Sequence, residues 1–372
     1  MTSPITVALT LEQCWHRVPG GTGVAGIGMA KALAARGDVN VIGVAARHSK
    51  PPQEAWRPPV EVKQLPLPRP ALYESWHRWR RPKVEGATGP VDVIHATSIA
   101  MPPQSAPIVV TIHDLAFLND ESHFTKRGVR FFKRGLELAQ SDATLVVCPS
   151  TATLEDCKRN GFGTDRLRLV PMGVEIIPAT DEQIASARRR YGVERPFIMW
   201  TGTIEPRKNL ARLLQAFEQL DETHDLVLVG PQGWNEDIES LLAKGAGRVK
   251  TLGFVPHADL GPLYAAASVF CFPSLFEGFG LPVVEAMGQG TPVVTSMGTS
   301  TEELATGAGV LVDPHDVDSI AEGMSRVLGD AAFAEQLAEA GRQRAASLSW
   351  DRTAELLMDV YRETVAMGRR AG

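Results

Sequence analysis

Two stretches of this chain carry residues whose types and spacing could do chemistry. From Phe272 to Val294 runs FPSLFEGFGLPVVEAMGQGTPVV, with Glu277 and Glu285 on either side of a glycine-rich turn at Gly278 and Gly280. Glycines let a backbone come close to a ligand, and the N–H groups of a helix start suit a phosphate. Pro282 can open such a helix, with Glu285 in its first turn. Two carboxylates there can accept hydrogen bonds from the hydroxyls of a sugar and a ribose. On spacing alone, a strand–turn–helix with one carboxylate as a helix cap explains the pattern equally well. From Thr201 to Leu210 runs TGTIEPRKNL, in which Arg207 and Lys208 follow a strand at an expected helix start. Arginine can bind a diphosphate through two N–H groups and lysine as a point charge. The plainer reading is a pair of solvated surface charges.

The first half offers weaker signals. Gly21, Gly23 and Gly26 match G-x-G-x-x-G, but an intervening loop, Glu12 to Pro19, separates them from the preceding strand. A dinucleotide fingerprint should follow its strand at once. The next strand ends in Ala46–Arg47–His48 without an acid for a ribose, so only an NADP reading through Arg47 survives. His113 and Asp114 end the apolar run VVTIHD, and His95 also ends a strand. The carboxyl ends of parallel strands are where ligands bind. A histidine packed at a strand end and bonded to backbone is the plain alternative. Lys126, Arg127, Arg130, Lys133 and Arg134 share one face of an expected helix, with Phe131, Phe132 and Leu136 on the other. The segment Trp76–Arg81 mixes tryptophans with arginines. Such mixtures suit an anionic membrane surface, although a solvated helix face over an ordinary core is the simpler account.

Elements must position these residues. Strands are expected near Ile5–Leu11, Val39–Ala45, Val91–Ala96, Pro107–Ile112 and Thr144–Cys148, with helices near Val24–Arg36, Phe124–Gln140 and Thr151–Asn160. Gly37 stands where a C-cap glycine belongs. Further strands are expected near Phe197–Thr201, Leu226–Gly230, Val249–Leu252, Val269–Phe272, Pro292–Thr295 and Val310–Val312. Runs apolar on both faces indicate parallel strands covered by helices. The alternation starts afresh after Glu175–Asp181, read as a linker. The chain is therefore α/β, two Rossmann-like doubly wound domains facing a central cleft. Residues 1–178 form the first and 179–372 the second, with a C-terminal helix expected to pack back on the first. Pro51–Pro70 reads as an irregular surface excursion.

The 372 residues suit about two domains, and 44% hydrophobic with 22% charged residues is ordinary for a globular protein. No apolar run reaches the roughly 20 residues of a membrane span, and no signal peptide is evident. Cys14, Cys148, Cys157 and Cys271 are scattered and form no metal or disulfide pattern. A cytoplasmic setting is expected. Residues 1–180 carry a net charge of +5 and residues 181–372 one of −10. The acidic total and the lack of a recognisable module exclude a nucleic-acid partner.

Taken together, TGTIEPRKNL and SLFEGFGLPVVEAM identify the chain as resembling the large retaining glycosyltransferase family (glycosyl transferases group 1) that includes sucrose synthases and bacterial mannosyltransferases. The phrases look closest to the lipopolysaccharide-type mannosyltransferase branch. The resemblance is dense in the second half and sparse in the first. It implies the GT-B fold and transfer of a hexose, mannose first, from a nucleoside diphosphate sugar to an acceptor hydroxyl with retention. By this resemblance Arg207 and Lys208 neutralise the donor diphosphate as it leaves, and Glu277 holds hydroxyls of the transferred sugar. Glu285 holds the ribose, and Gly253, Phe254 and Val255 lie beside the base. Gly278, Phe279, Gly280 and Leu281 complete the donor-binding turn. Gly20, Gly21 and Thr22 approach the donor from the opposite domain, and His113 contacts the sugar near the reacting carbon.

No cofactor or metal is expected, since the cations carry the diphosphate charge. The donor favoured is GDP-mannose. The acceptor is a glycan or a lipid-linked sugar, with a peripheral contact at the inner face of the plasma membrane. Relatives often carry a Pro–Glu pair after the strand that follows the second glutamate. Here the run is Thr299–Ser300–Thr301–Glu302–Glu303–Leu304, with Glu303 the candidate substitute. Rival readings are an NADP-dependent oxidoreductase, a non-catalytic nucleotide-sugar binder and an epimerase of the same fold.

Overall fold

The computed structural model describes residues 3–16, 19–233 and 247–371. The chain divides into two compact units, residues 1–173 with 349–372, and residues 174–348.

The first unit holds a parallel sheet of seven strands: β1 (Ile5–Thr10), β2 (Val39–Ala45), β3 (Val62–Gln64), β4 (Val93–Ala96), β5 (Ile108–Thr111), β6 (Ala143–Cys148) and β7 (Leu167–Leu169). Their order is β3-β2-β1-β4-β5-β6-β7. The direction of winding reverses between β1 and β4, the place where doubly wound sheets open a crevice. All four residues of β4 and of β5 are buried, which is why these strands read as unbroken apolar runs. The short edge strands β3 and β7 were not expected. β3 lies inside the stretch taken for an irregular excursion, where prolines and charges hide three residues of pairing. The helix Arg69–Trp79 was also unforeseen.

The helix Trp350–Ala371 belongs to this first unit. Gly28 and Gly173 make room for it. A Cβ on Gly28 would stand 2.2 Å from the Trp350 ring, and one on Gly173 2.2 Å from the Trp350 backbone nitrogen. Further along, Tyr361 is wholly buried and its hydroxyl lies 2.7 Å from Nδ1 of His95, whose Nε2 lies 2.8 Å from the Thr111 hydroxyl. His95 is thus a satisfied core histidine. Burial pushes its pKa down to about 3. His77, buried beside Arg80, is lowered in the same way to about 4.

These histidines bind protons in the unfolded chain near pH 6.5 and in the folded chain only at far lower pH. Their contribution to stability is therefore complete above pH 6.5 and is lost as pH falls towards the lowered values. Chemical denaturation of the full chain at pH 7 and pH 5 should show the unfolding free energy dropping on acidification. Tyr361→Phe, which strips a buried partner from His95, should cost about 1–3 kcal/mol at pH 7. An unchanged midpoint would show that this bond contributes nothing.

The second unit holds six parallel strands: β8 (Phe197–Thr201), β9 (Asp225–Val229), β10 (Val249–Gly253), β11 (Val269–Phe272), β12 (Val293–Ser296) and β13 (Val310–Val312). Their order is β10-β9-β8-β11-β12-β13, so winding reverses between β8 and β11. Every residue of β8, β11 and β12 is buried. The helix Asp181–Tyr191, which opens the fold after the expected linker, starts with a capping box between Thr180 and Gln183. Gly341 lets the helix Ala331–Ala346 lie against Met287 of the helix Leu281–Gly288.

Several local expectations are corrected. The first helix starts at Gly20, not Val24, so Gly20, Gly21 and Thr22 form its first turn. It ends at Ala34 and is capped by Ala35 in a right-handed conformation, so Gly37 is not its C-cap. The intervening stretch is partly a short 3-10 turn, Glu12–Trp15, and Arg17 and Val18 lie outside the described residues. Trp76 and Arg80 are not membrane-facing. The Trp76 indole is buried and donates to the Pro82 carbonyl, while Arg80 donates to the carbonyls of Trp76, Met101 and Pro102 and pairs with Asp142.

Candidate active site

The site is built where the second sheet reverses its winding. After β8 the chain passes Gly202 and turns through a 3-10 segment, Pro206–Lys208, into the helix Leu210–Glu218. Asn209 holds this turn. Its φ is +58°, and its amide donates to the carbonyls of Pro273 (2.9 Å) and Pro314 (2.7 Å). The Arg207 carbonyl accepts from Leu275 N at 2.9 Å, tying the turn to the loop after β11. That loop leads through Glu277 to Gly280, whose φ of +103° sets the entry into the helix Leu281–Gly288. A Cβ on Gly280 would stand 2.7 Å from the Thr301 methyl, so the turn requires glycine twice over.

These two loops bring Arg207, Lys208 and Glu277 into direct contact. Lys208 Nζ donates to Glu277 Oε1 at 2.6 Å, and Arg207 NH1 donates to Glu277 Oε2 at 3.1 Å and to the Phe276 carbonyl at 2.9 Å. Arg207 NH2 donates to Glu205 Oε1 at 2.6 Å. Lys208 also stands 4.8 Å from the centre of the Phe272 ring. Glu205, Lys208 and Glu277 are only 5%, 8% and 7% exposed. Burial alone would raise the Glu277 carboxyl, but Lys208 and Arg207 hold it below the usual carboxylate range. Burial lowers the Lys208 ammonium, against the opposing pull of Glu277. The cluster is thus a fixed charged centre at a strand-end switch point.

Glu285 stands apart from this cluster in its bonding. It lies in the second turn of its helix, not the first, and accepts from the Tyr264 hydroxyl at 3.0 Å. Burial raises its pKa, with His257 and the tyrosine bond pulling the other way. Gly253 ends β10 with a φ of +63°, and its carbonyl accepts from Gly230 N at 2.8 Å. Phe254 is 62% exposed beside it, whereas the Val255 side chain is buried. Phe279 and Leu281 are buried, and Gly278 is buried between them and Glu277.

Two residues at this site were missed from sequence. Glu205 is given no role by the sequence reading, although a carboxylate two residues before an arginine is a visible hint. Ser300 carries no signal of its own in the run that holds Glu303. The structure places Glu303 at the exposed side of its helix, while the Ser300 hydroxyl donates to the carbonyls of Glu277 (2.8 Å) and Phe279 (3.0 Å).

In the first unit, His113 follows β5. Its Nε2 donates to the Thr97 carbonyl at 2.9 Å, which fixes the proton on that nitrogen. Nδ1 is buried without a hydrogen-bond partner among the described residues. Burial lowers the His113 pKa, so the ring is neutral and Nδ1 can accept from a hydroxyl. Asp114 is used locally, accepting from Ala116 N at 3.0 Å. At the start of the first helix, Gly20 and Gly21 are exposed, and first-turn N–H groups lack a carbonyl one turn earlier. Gly23, the middle residue of the dinucleotide-like triplet, has a packing role: a Cβ there would stand 2.4 Å from the Pro19 side chain. The triplet therefore gives no support to the oxidoreductase reading. Among the described residues no group of three His, Cys, Asp or Glu side chains is disposed to hold a metal ion.

Comparison with known proteins agrees with this architecture. Residues 182–344 match the model of glycosyl transferases group 1, and residues 19–176 match glycosyltransferase family 4. The chain is 32% identical over 281 residues to the O-antigen chain mannosyltransferase B of Escherichia coli, covering 73% of this chain and 74% of that one. It is 30% identical to the serotype-specific mannosyltransferase WbdA of Escherichia coli over 71% of this chain, but spans only 34% of that longer protein. The structure of Anabaena HepE in complex with UDP-glucose superposes with a TM-score of 0.77 at 20% identity, covering 96% of this chain and 100% of that one. That likeness establishes the GT-B fold. The chain belongs to the glycosyl transferases group 1 family and is a nucleotide-sugar glycosyltransferase of glycan biosynthesis.

Proposed function

We infer that this enzyme transfers mannose from GDP-mannose to a hydroxyl of a glycan or lipid-linked acceptor, with retention of configuration. The observation that carries the donor assignment is the buried contact of Arg207 and Lys208 with Glu277 at the carboxyl ends of β8 and β11. In this reading the two cations take the diphosphate and stabilise the charge that grows on it as the glycosidic bond breaks. Glu277, held ionised between them, accepts from hydroxyls of the transferred sugar. Glu285 and the Gly253–Phe254–Val255 turn hold the ribose and base. In the first unit, His113 offers its unpartnered Nδ1 as an acceptor for a hydroxyl, and the first helix turn at Gly20–Thr22 offers N–H groups to an anion. The leaving phosphate oxygen takes the acceptor proton on the same face. The reading invokes no metal, because it gives the diphosphate charge to Arg207 and Lys208.

The mannosyltransferase names of the curated relatives support the sugar, and the UDP-glucose complex of the solved relative supports the donor class. Among the described residues no helix is long and apolar enough to cross a membrane. Lys126, Arg127, Arg130 and Lys133 are exposed on one helix, and Trp79, on the neighbouring helix, is 63% exposed. These favour an acceptor presented at an anionic surface.

A thermal-shift screen with GDP-mannose, UDP-glucose, UDP-N-acetylglucosamine and NADPH tests the donor. GDP-mannose should stabilise the chain by about 2.7 kcal/mol at 100 times its dissociation constant. A shift with a different nucleotide sugar would replace mannose, and a shift with NADPH alone would refute the reading.

A further inference from the structure

The four charged side chains at the centre of the site balance. Arg207 and Lys208 face Glu277, and Arg207 also faces Glu205. Glu277 has a reason to be there, since a sugar needs an acceptor of hydrogen bonds. Glu205 does not. It is 5% exposed, and its oxygen takes NH2 of the same guanidinium whose NH1 serves Glu277 and Phe276. Burying a second carboxylate beside an anion-binding centre weakens that centre, because like charges repel strongly where water is scarce.

The geometry points to Glu205 as the residue that limits how tightly the site holds a nucleoside diphosphate. With Glu205 present, the cluster is neutral before the diphosphate arrives. Without its charge, the cluster carries one net positive charge, and the product diphosphate is held longer. Glu205 also fixes the guanidinium plane, so that Arg207 meets the leaving group in one orientation. It is a positioning residue that acts through Arg207. An ordinary brace would give a different result: its loss would loosen Arg207 and weaken binding.

The inference rests on the reading of Arg207 and Lys208 as diphosphate ligands, and the test separates the two. GDP and UDP are titrated calorimetrically into the full chain as wild type, Glu205→Gln, Glu205→Asp and Arg207→Ala/Lys208→Ala, with melting temperatures measured in parallel. Glu205→Gln keeps the shape and an acceptor oxygen but not the charge. It should bind its nucleoside diphosphate about tenfold tighter than wild type, with slower dissociation, while Glu205→Asp should return towards wild type. Unchanged or weaker binding by a folded Glu205→Gln chain would overturn the inference. Undiminished binding by the double variant, or no binding of either nucleotide by wild type, would overturn the underlying diphosphate reading and the inference with it.

Discussion

Replacing Lys208 by alanine should lower kcat/KM for transfer by roughly 100- to 1000-fold, the usual effect of removing one preorganised group that stabilises developing charge. Lys208 cannot be replaced by water without loss, because it is buried against Glu277 and the Phe272 ring. The fold should survive. Glu277 keeps Arg207 as a partner, so the cost to stability should stay below the about 3–5 kcal/mol of breaking a buried pair outright. Rate and stability must therefore be measured together. Donor consumption gives the first and chemical denaturation the second. A variant that melts like wild type and transfers like wild type would remove Lys208 from the mechanism.

Gly230→Ala should have the largest effect on stability. Gly230 follows β9, and its φ is +139°, a conformation that L side chains rarely adopt. A Cβ there would stand 1.9 Å from the Gly202 carbonyl oxygen and 2.7 Å from its carbon. Neither neighbour is a flexible side chain that could yield. Gly202 N donates to the Val229 carbonyl at 2.9 Å and Gly230 N to the Gly253 carbonyl at 2.8 Å, so three strand ends are locked together at this point. The substitution should cost about 4 kcal/mol or more, enough to prevent accumulation of folded protein at growth temperature. Gly247→Ala is the control: among the described residues its Cβ would meet nothing within 4 Å, although its φ of +78° carries the left-handed penalty alone. If both variants melt together, the clash at Gly202 is not what makes Gly230 necessary.

Much of the sheet was legible because its strands are buried on both faces. Phe197–Thr201, Val269–Phe272 and Val310–Val312 stand where their apolar runs place them. The edge strands Val62–Gln64 and Leu167–Leu169 were not, since three residues of mixed burial between prolines or charges leave no periodic signal. Trp76 and Arg80 left two readings open, because composition does not say which way a side chain points. In the fold one fills the core and the other satisfies carbonyls.

The residue types of the candidate site were legible, but their partnership was not. Glu277 reads along the chain as one of a pair with Glu285. In the fold it bonds to Arg207 and Lys208, about seventy positions earlier, because β8 and β11 are neighbours across a crossover. No local pattern encodes that adjacency. Ser300 supports the same loop from further along the chain and was invisible for the same reason.

The central claim is that Arg207 and Lys208 hold the diphosphate of a sugar donor. Calorimetric titration of GDP-mannose into wild type and Arg207→Ala/Lys208→Ala, with Glu277→Gln alongside, tests it most directly. The account predicts saturable binding to wild type, loss of at least a hundredfold in the double variant, and a smaller change in Glu277→Gln, which this account assigns to the sugar and not to the diphosphate. Equal affinity of a folded double variant and wild type would contradict it.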